Sequence, residues 1–275
     1  MSLQDTMASL AYGTAYHMAE LFFSLSRLPV AGRLFEAPVA AKRFTVVTVP
    51  VNARVQETSA ILPYDVVRRL VDSAAYVAIA DTCVCRDAHR CKDYPVSPGC
   101  VYLGEGARSI KYRARPATGR EALEWLERAR SMGLVTNVVW SSLEFEAIGA
   151  NPSRTVEICS CCPCCCLMFK TRDASRAYMD NILGFGTARV SDPDACTRCT
   201  SCEAACPFKA VRVDMHAGPA IDTMRCKGCG RCEAACRAGV LKVFPNENPG
   251  GFANACSPCT PNAAELMERF LAIVK

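Results

Sequence analysis

Cys196-Thr-Arg-Cys199-Thr-Ser-Cys202-Glu-Ala-Ala-Cys206-Pro207 returns thirty residues later as Cys226-Lys-Gly-Cys229-Gly-Arg-Cys232-Glu-Ala-Ala-Cys236-Arg237. Both runs space their cysteines C-x2-C-x2-C-x3-C. Three thiolates at x2 spacing wrap one cubane iron–sulfur core as a tight loop, with backbone N–H groups pointing at its sulfides. The x3 step begins a helical turn and carries the fourth thiol away from its own loop. Zinc is the bland alternative, but it takes four ligands in pairs rather than two interlocked runs of four.

The array resembles the bacterial two-cluster ferredoxin domain over residues 188–245. The resemblance implies two [4Fe–4S] clusters, one on Cys196, Cys199, Cys202 and Cys236 and the other on Cys226, Cys229, Cys232 and Cys206. Short strands are expected at Ala188–Val190, Val211–Val213, Ala220–Asp222 and Leu241–Phe244, in a pseudo-twofold pattern. Arg237 departs from the family, which usually has proline there. It keeps the turn but sets a positive charge beside a cluster, where it would raise a potential or serve as a docking contact.

Outward from this array, the 275 residues hold 20 cysteines, 51% hydrophobic and 21% charged residues. That composition excludes a disordered chain. Apolar stretches such as Ala74–Ala80 fall far short of the roughly 18–20 residues of a spanning helix. The opening MSLQDTMASL has Asp5 and no basic residue ahead of an apolar core. It is therefore not read as a secretory signal, and the expected location is cytoplasmic. In that setting dense cysteine points to metal ligation rather than disulfides. The formal charge of +5 counts every cysteine as neutral. Each cubane with four thiolates adds about −2, so two clusters would bring the balance to about +1 and four to about −3. The basic excess thus reads as an offset for cofactor charge, and no nucleic-acid partner is expected.

Two further cysteine groups precede the repeat. The first is Cys83, Cys85, Cys91 and Cys100; the second is Cys159, Cys161, Cys162, Cys164, Cys165 and Cys166. All ten are candidate metal ligands. Cys83 and Cys85 would point to one side of an extended segment and so serve one centre, with Cys91 and Cys100 completing a set. Together with Ile61–Asp65 (ILPYD), Cys83–Arg86 (C-x-C-R), Cys100–Gly104, the capped helix of Thr118–Met132 and Ile158–Cys166, these groups resemble a family of iron–sulfur proteins from anaerobes. That resemblance covers about residues 44–245 and implies iron–sulfur electron transfer, with no established substrate. Many relatives look to have a longer N-terminal part resembling a winged helix. Its absence here counts against direct DNA binding.

Three readings stay open for the ten thiols: one or two further [4Fe–4S] clusters; a less usual centre or a cluster with an open iron; zinc or redox-active thiols. Cys256 and Cys259 either lend ligands to an N-terminal centre or stay free. His89 is either a ligand or donor at the first group or a loop histidine. Arg86, Arg90, Lys92 and Arg108 read as charge compensation for thiolates or as an anion-binding cluster. Gly104-Glu-Gly106 and Gly184-Phe-Gly186 lack a dinucleotide-site context and read as turns.

The secondary-structure reading places helices over residues 4–27 (carrying His17 and Glu20), from Pro63 to about Ala75, from Thr118 to about Met132 with Gly133 as stop, and after Thr260-Pro261. The first is expected to pack on the core or to dock on a partner. Phe44–Val51 reads as a strand limited by Pro50. The expected fold is α+β: an N-terminal α/β cysteine-rich module (residues 1–187), a two-cluster ferredoxin-like domain (188–245), and a tail with a helix (246–275). The expected function is single-electron relay between redox partner proteins, as a carrier or as a subunit of an oxidoreductase complex. There is no transmembrane segment, and peripheral docking stays open. The alternatives are a reductase subunit with an N-terminal iron–sulfur active centre, or a redox or metal sensor.

Overall fold

In the computed structural model, residues 3–37, 44–50, 63–110, 113–245 and 263–275 are described. The chain opens with helix α1 (Leu3–Leu25) and a short α2 (Gly32–Phe35). Strand β1 (Phe44–Val49) stops just before Pro50, which cannot donate to a ladder. Helix α3 (Pro63–Ser73), β2 (Val77–Ala80), α4 (Val84–Ala88), β3 (Val101–Leu103), β4 (Ala114–Pro116) and α5 (Gly119–Ser131) follow. Next come β5 (Val135–Ser141), α6 (Ser142–Ile148), β6 (Val156–Cys161), α7 (Leu167–Lys170), α8 (Arg176–Asp180) and β7 (Ile182–Gly184). The remainder is β8 (Gly186–Val190), α9 (Ser201–Ala205), β9 (Val211–Asp214), β10 (Gly218–Ile221), α10 (Arg231–Ala235), β11 (Leu241–Pro245) and α11 (Ala263–Val274).

Seven strands form one mixed sheet in the order β4-β2-β3-β6-β5-β1-β7. Every pairing is antiparallel except β1 with β7. Because side chains alternate across a strand, each strand splits its residues between the two faces. Val47, Val138, Val156 and Ile158 join a core with Leu70 of α3, Leu126 of α5 and Phe270 of α11. That core contains no cysteine. Val46, Val135, Val139 and Cys161 face the other way, into a core that also holds Cys166, Phe169, Phe208, Cys202, Cys226, Cys229 and Cys232. The ferredoxin-like part is therefore seated on the second face of the sheet.

The local sequence rules account for several elements. Thr118 caps α5 as expected, with Glu121 closing a reciprocal capping box, and Gly133 (φ +75°) ends it. α1 buries Tyr16 and Phe23, while Met18, Leu21 and Phe22 face outward. One expectation changes. Cys83 has extended backbone, but as the N-cap of α4, so Cys85 lies within a helical turn rather than further along an extended segment. Gly184 and Gly186 end β7 and begin β8, with a bend at Phe185 between them. The bare Gly184 admits the loop of the second cysteine run, and the bare Gly186 admits β11, where a Cβ would meet the Phe244 carbonyl at 2.6 Å. A Cβ on Gly184 would meet the Lys227 carbonyl at 2.3 Å, and one on Gly228 would meet the Gly186 carbonyl at 2.1 Å. Among the described residues no helix is long and apolar enough to cross a membrane. Cys256, Cys259 and the Thr260-Pro261 start of the last helix lie outside the described residues.

Candidate metal centre

The two cysteine runs repeat in backbone as well as in sequence. Arg198 and Gly228, Thr200 and Gly230, and Lys209 and Gly239 form pairs thirty residues apart, and all six have positive φ. The left-handed residues at 200 and 230 turn the chain into α9 and α10. Glu203 Oε2 accepts from Val213 N at 2.9 Å, and Glu233 Oε2 accepts from Val243 N at 3.0 Å. Two antiparallel ribbons, β9 with β10 and β8 with β11, complete the pseudo-twofold unit.

This repeat gathers the eight cysteines in crossed sets. A cavity of about 690 Å³ is lined by Cys196, Cys199 and Cys202 of the first run and Cys236 of the second. A second, much smaller cavity is lined by Cys226, Cys229, Cys232 and Cys206. Backbone N–H groups point at the sulfurs: Arg198 N to Cys196 Sγ at 3.4 Å, Ala188 N to Cys226 Sγ at 3.4 Å, and Ala210 N to Cys206 Sγ at 3.2 Å. Such donors stabilise thiolate and bound sulfide charge, so the donor sets of both sites, and the space at the first, suit thiolate-bound iron–sulfur clusters. The two sites differ in access. Cys199 is exposed, and hydrogen bonds from Ser201 bring its thiol down to about 7. Cys229 is buried, and burial pushes its thiol up to about 12. Arg237 stands exposed at the rim of the first cavity.

The ten N-terminal thiols do not sort by their order in the chain. Cys91 leaves the first group and joins Cys162, Cys164 and Cys165, all four Sγ atoms lying within 4.8 Å of one another. The expected set of Cys83, Cys85, Cys91 and Cys100 is therefore not one neighbourhood. The remaining six thiols form a closed ring. Cys100 Sγ lies 3.8 Å from Cys159 Sγ. Cys83 interacts with Cys85 and Cys100, Cys159 with Cys161, Cys161 with Cys166, and Cys166 with Cys85, so that the thiolate charges of the six act on one another in sequence. None of the eighteen cysteines described is in a disulfide.

Sheet geometry explains the partition. Cys159 and Cys161 are two apart on β6 and share the second face, and β3 lies beside β6 with Val101 opposite Ile158. This brings Cys100 against Cys159. After Cys161 the chain leaves the strand and turns at 163–165, so Cys162, Cys164 and Cys165 project elsewhere. Glu157, also on the second face, accepts from Cys159 Sγ at 3.1 Å, and burial pushes its carboxyl pKa up. The sequence reading missed Glu157, although its i−2 relation to Cys159 was a usable signal. Tyr16, whose hydroxyl donates to the Cys165 carbonyl, had no such signal.

Arg86 resolves one ambiguity. It is fully buried and donates to the carbonyls of Ser160 (2.8 Å), Val96 (3.4 Å) and Pro98. Its charge is felt by Cys83, Cys100, Cys162 and Cys161, which favours the charge-compensation reading over an anion site. Arg108 is engaged elsewhere, paired with Glu105 at 2.7 Å and stacked over Tyr76. His89 sits under α1, edge-on to Tyr16 and 3.4 Å from Glu20, which also pairs with Lys170 at 3.2 Å.

A family model described as a 4Fe-4S dicluster domain matches residues 188–237. No curated protein matches the chain. The matched segment contains all eight cysteines of the repeat, so this part of the chain is iron–sulfur in character and ferredoxin-like.

Proposed function

We propose that the chain is an iron–sulfur electron-transfer protein with three centres in series. Cys196, Cys199, Cys202 and Cys236 would hold the first cluster, and Cys226, Cys229, Cys232 and Cys206 the second. The ring of Cys83, Cys85, Cys100, Cys159, Cys161 and Cys166 would hold a third iron–sulfur centre. Bound there, the clusters would supply one-electron chemistry with little change of geometry. The observation that supports this reading is the shared core, in which the ferredoxin-like Cys202, Cys226, Cys229 and Cys232 pack together with Cys161 and Cys166 of the ring. Electrons would enter at the exposed Cys199 side, pass to the buried second site and end at the ring. Arg198 and Arg237 on the rim of the first cavity suit an acidic surface on a redox partner protein.

The ring is enclosed: Cys83, Cys161 and Cys166 are buried and the other three half-buried. Electrons reach such a centre more readily than a substrate does. One feature favours a second reading: the ring has six thiols, where a cubane takes four. A reductase using the surplus positions would turn over a small molecule. The deciding experiment is iron and acid-labile sulfide per chain after anaerobic purification, with electron spin spectra of the reduced protein. The relay requires about 12 iron per chain, and a Cys83→Ser/Cys159→Ser variant should fall to about 8 while keeping the ferredoxin signals. A fully loaded ferredoxin pair with iron already near 8 in the unaltered chain would end the ring assignment.

A further inference from the structure

The four-thiol group differs from every other cysteine set in how tightly it closes. Cys91 Sγ lies 3.5 Å from Cys164 Sγ, and Cys164 Sγ lies 3.7 Å from Cys165 Sγ. With Cys162 all four sulfurs fall within 4.8 Å of one another, whereas the ring and ferredoxin cysteines form no such all-thiol group among the described residues. The size of the occupant follows from this spacing. Four thiolates on one tetrahedral ion, with bonds of about 2.3 Å, stand about 3.8 Å apart. A cubane puts each thiolate on its own iron and spreads them further. The ferredoxin site shows that spread, its four cysteines lining a cavity of about 690 Å³.

The surroundings also suit a closed, single-ion site. Cys165 N donates to Cys162 Sγ at 3.3 Å. The sulfurs pack against Ala129, Met132 and Leu134 at the end of α5, with no carboxylate or imidazole in the group. Arg172 donates to the Pro163 carbonyl within the turn and to Pro207 at 2.9 Å in the ferredoxin-like part, bringing a cation to the site. Tyr16 of α1 holds the Cys165 carbonyl.

We infer that Cys91, Cys162, Cys164 and Cys165 bind one zinc ion as a structural site distinct from the iron–sulfur centres. Tetrahedral all-thiolate coordination without an open position is the structural zinc pattern. Binding would release the thiol protons and tie the loop carrying Cys91 to the turn at 162–165, over which α1 and the ferredoxin-like part are docked. The ion is redox-inert and stands outside the relay, so the two readings fail separately.

The test is metal analysis and zinc-edge X-ray absorption on the full chain, purified without oxygen. The expected result is about one zinc per chain with four sulfur neighbours at about 2.3 Å. Cys91→Ser and Cys164→Ser should each lose at least tenfold in zinc retention against a chelator, with iron content and reduced spin signals unchanged. Zinc-free protein, zinc bound through oxygen or nitrogen, or a loss of about 4 iron in either variant would overturn the inference. The absorption measurement uses the unaltered chain, so it decides even if a variant fails to fold. Loss of ring iron with zinc intact would instead strike the relay alone.

Discussion

The ferredoxin-like part and the sheet beneath it carry their cysteines by opposite means. In residues 188–245 the thiol spacing, the left-handed residues and the glutamate contacts all repeat at a thirty-residue offset, so each half is specified by its own short run. In the N-terminal part no run specifies a site. Cys83, Cys85 and Cys100 meet Cys159, Cys161 and Cys166 only because β3 and β6 pair, and Cys91 crosses to a turn more than seventy residues away. A local repeat can assemble around its cofactor. A site built by strand register needs the sheet first.

The sharpest way to break this contrast is to remove the metal. The ferredoxin-like part has two ribbons and two five-residue helices, and its buried residues include four of its own cysteines. The core on the opposite face of the sheet has no cysteine. After anaerobic iron chelation, amides of residues 196–241 should lose nearly all protection from hydrogen exchange. Those of β1 and β5 should keep theirs. Protection retained equally in both parts would show that the repeat has a core independent of its cofactor.

A second test acts on the ring alone. Arg86→Met leaves the carbonyls of Ser160, Val96 and Pro98 without their donor and removes a buried positive charge. The expected cost is about 3 kcal/mol, seen as faster exchange across β6 and a lower inactivation temperature. The potential of a ring centre should move negative, since its reduced form loses a compensating cation, while the ferredoxin potentials stay fixed. Movement of all potentials together would mean that the parts are one electrostatic unit.

This division also decides what could be read from sequence. The repeat, its flanking strands, the helix from Pro63, the capped α5 and the strand ending at Pro50 depend on neighbours within a few residues, and all were legible. The ten N-terminal thiols were legible as ligands in kind but not in grouping. Whether Cys91 belongs with Cys100 or with Cys164 depends on strand order and on where β6 ends, which alternation within one strand does not encode. The Gly184–Gly186 pair was legible as a bend but not in its purpose, for the same reason: its glycines also answer distant backbone, at Lys227 and Phe244.

Within the repeat itself, one of the matched pairs at which the two runs differ sharpens the contrast. Gly228 has φ +60°, and an added Cβ would meet Gly186 backbone; Arg198, its counterpart, already carries a side chain at φ 56°. Gly228→Ala should therefore cost about 1–3 kcal/mol through strain and displacement of β8. Arg198→Ala gives up only that side chain's donations to the Cys196 and His216 carbonyls and should cost no more than about 1 kcal/mol. Comparing iron release rates under mild denaturant separates them. Equal rates would mean that the close seating of the second run on the β8–β11 ribbon does not govern how the unit holds its iron.

A comparably small effect is expected at Thr118, a locally specified helix start that leads toward the zinc tetrad. Thr118 Oγ1 accepts from Glu121 N at 3.2 Å, and Glu121 Oε2 accepts from Thr118 N at 2.7 Å. Thr118→Ala removes half of this box and should cost about 1 kcal/mol, recovered by Thr118→Ser. That corresponds to a roughly fivefold rise in exchange at the first-turn amides of α5. The far end of the same helix carries Ala129 against Cys162 and Cys165. If the tetrad is pinned by its ion, fraying at Thr118 should stop before Ala129 and leave zinc retention unchanged. Zinc loss in Thr118→Ala would instead mean that α5, and through it the local sequence, helps to hold a site otherwise made by distant contacts.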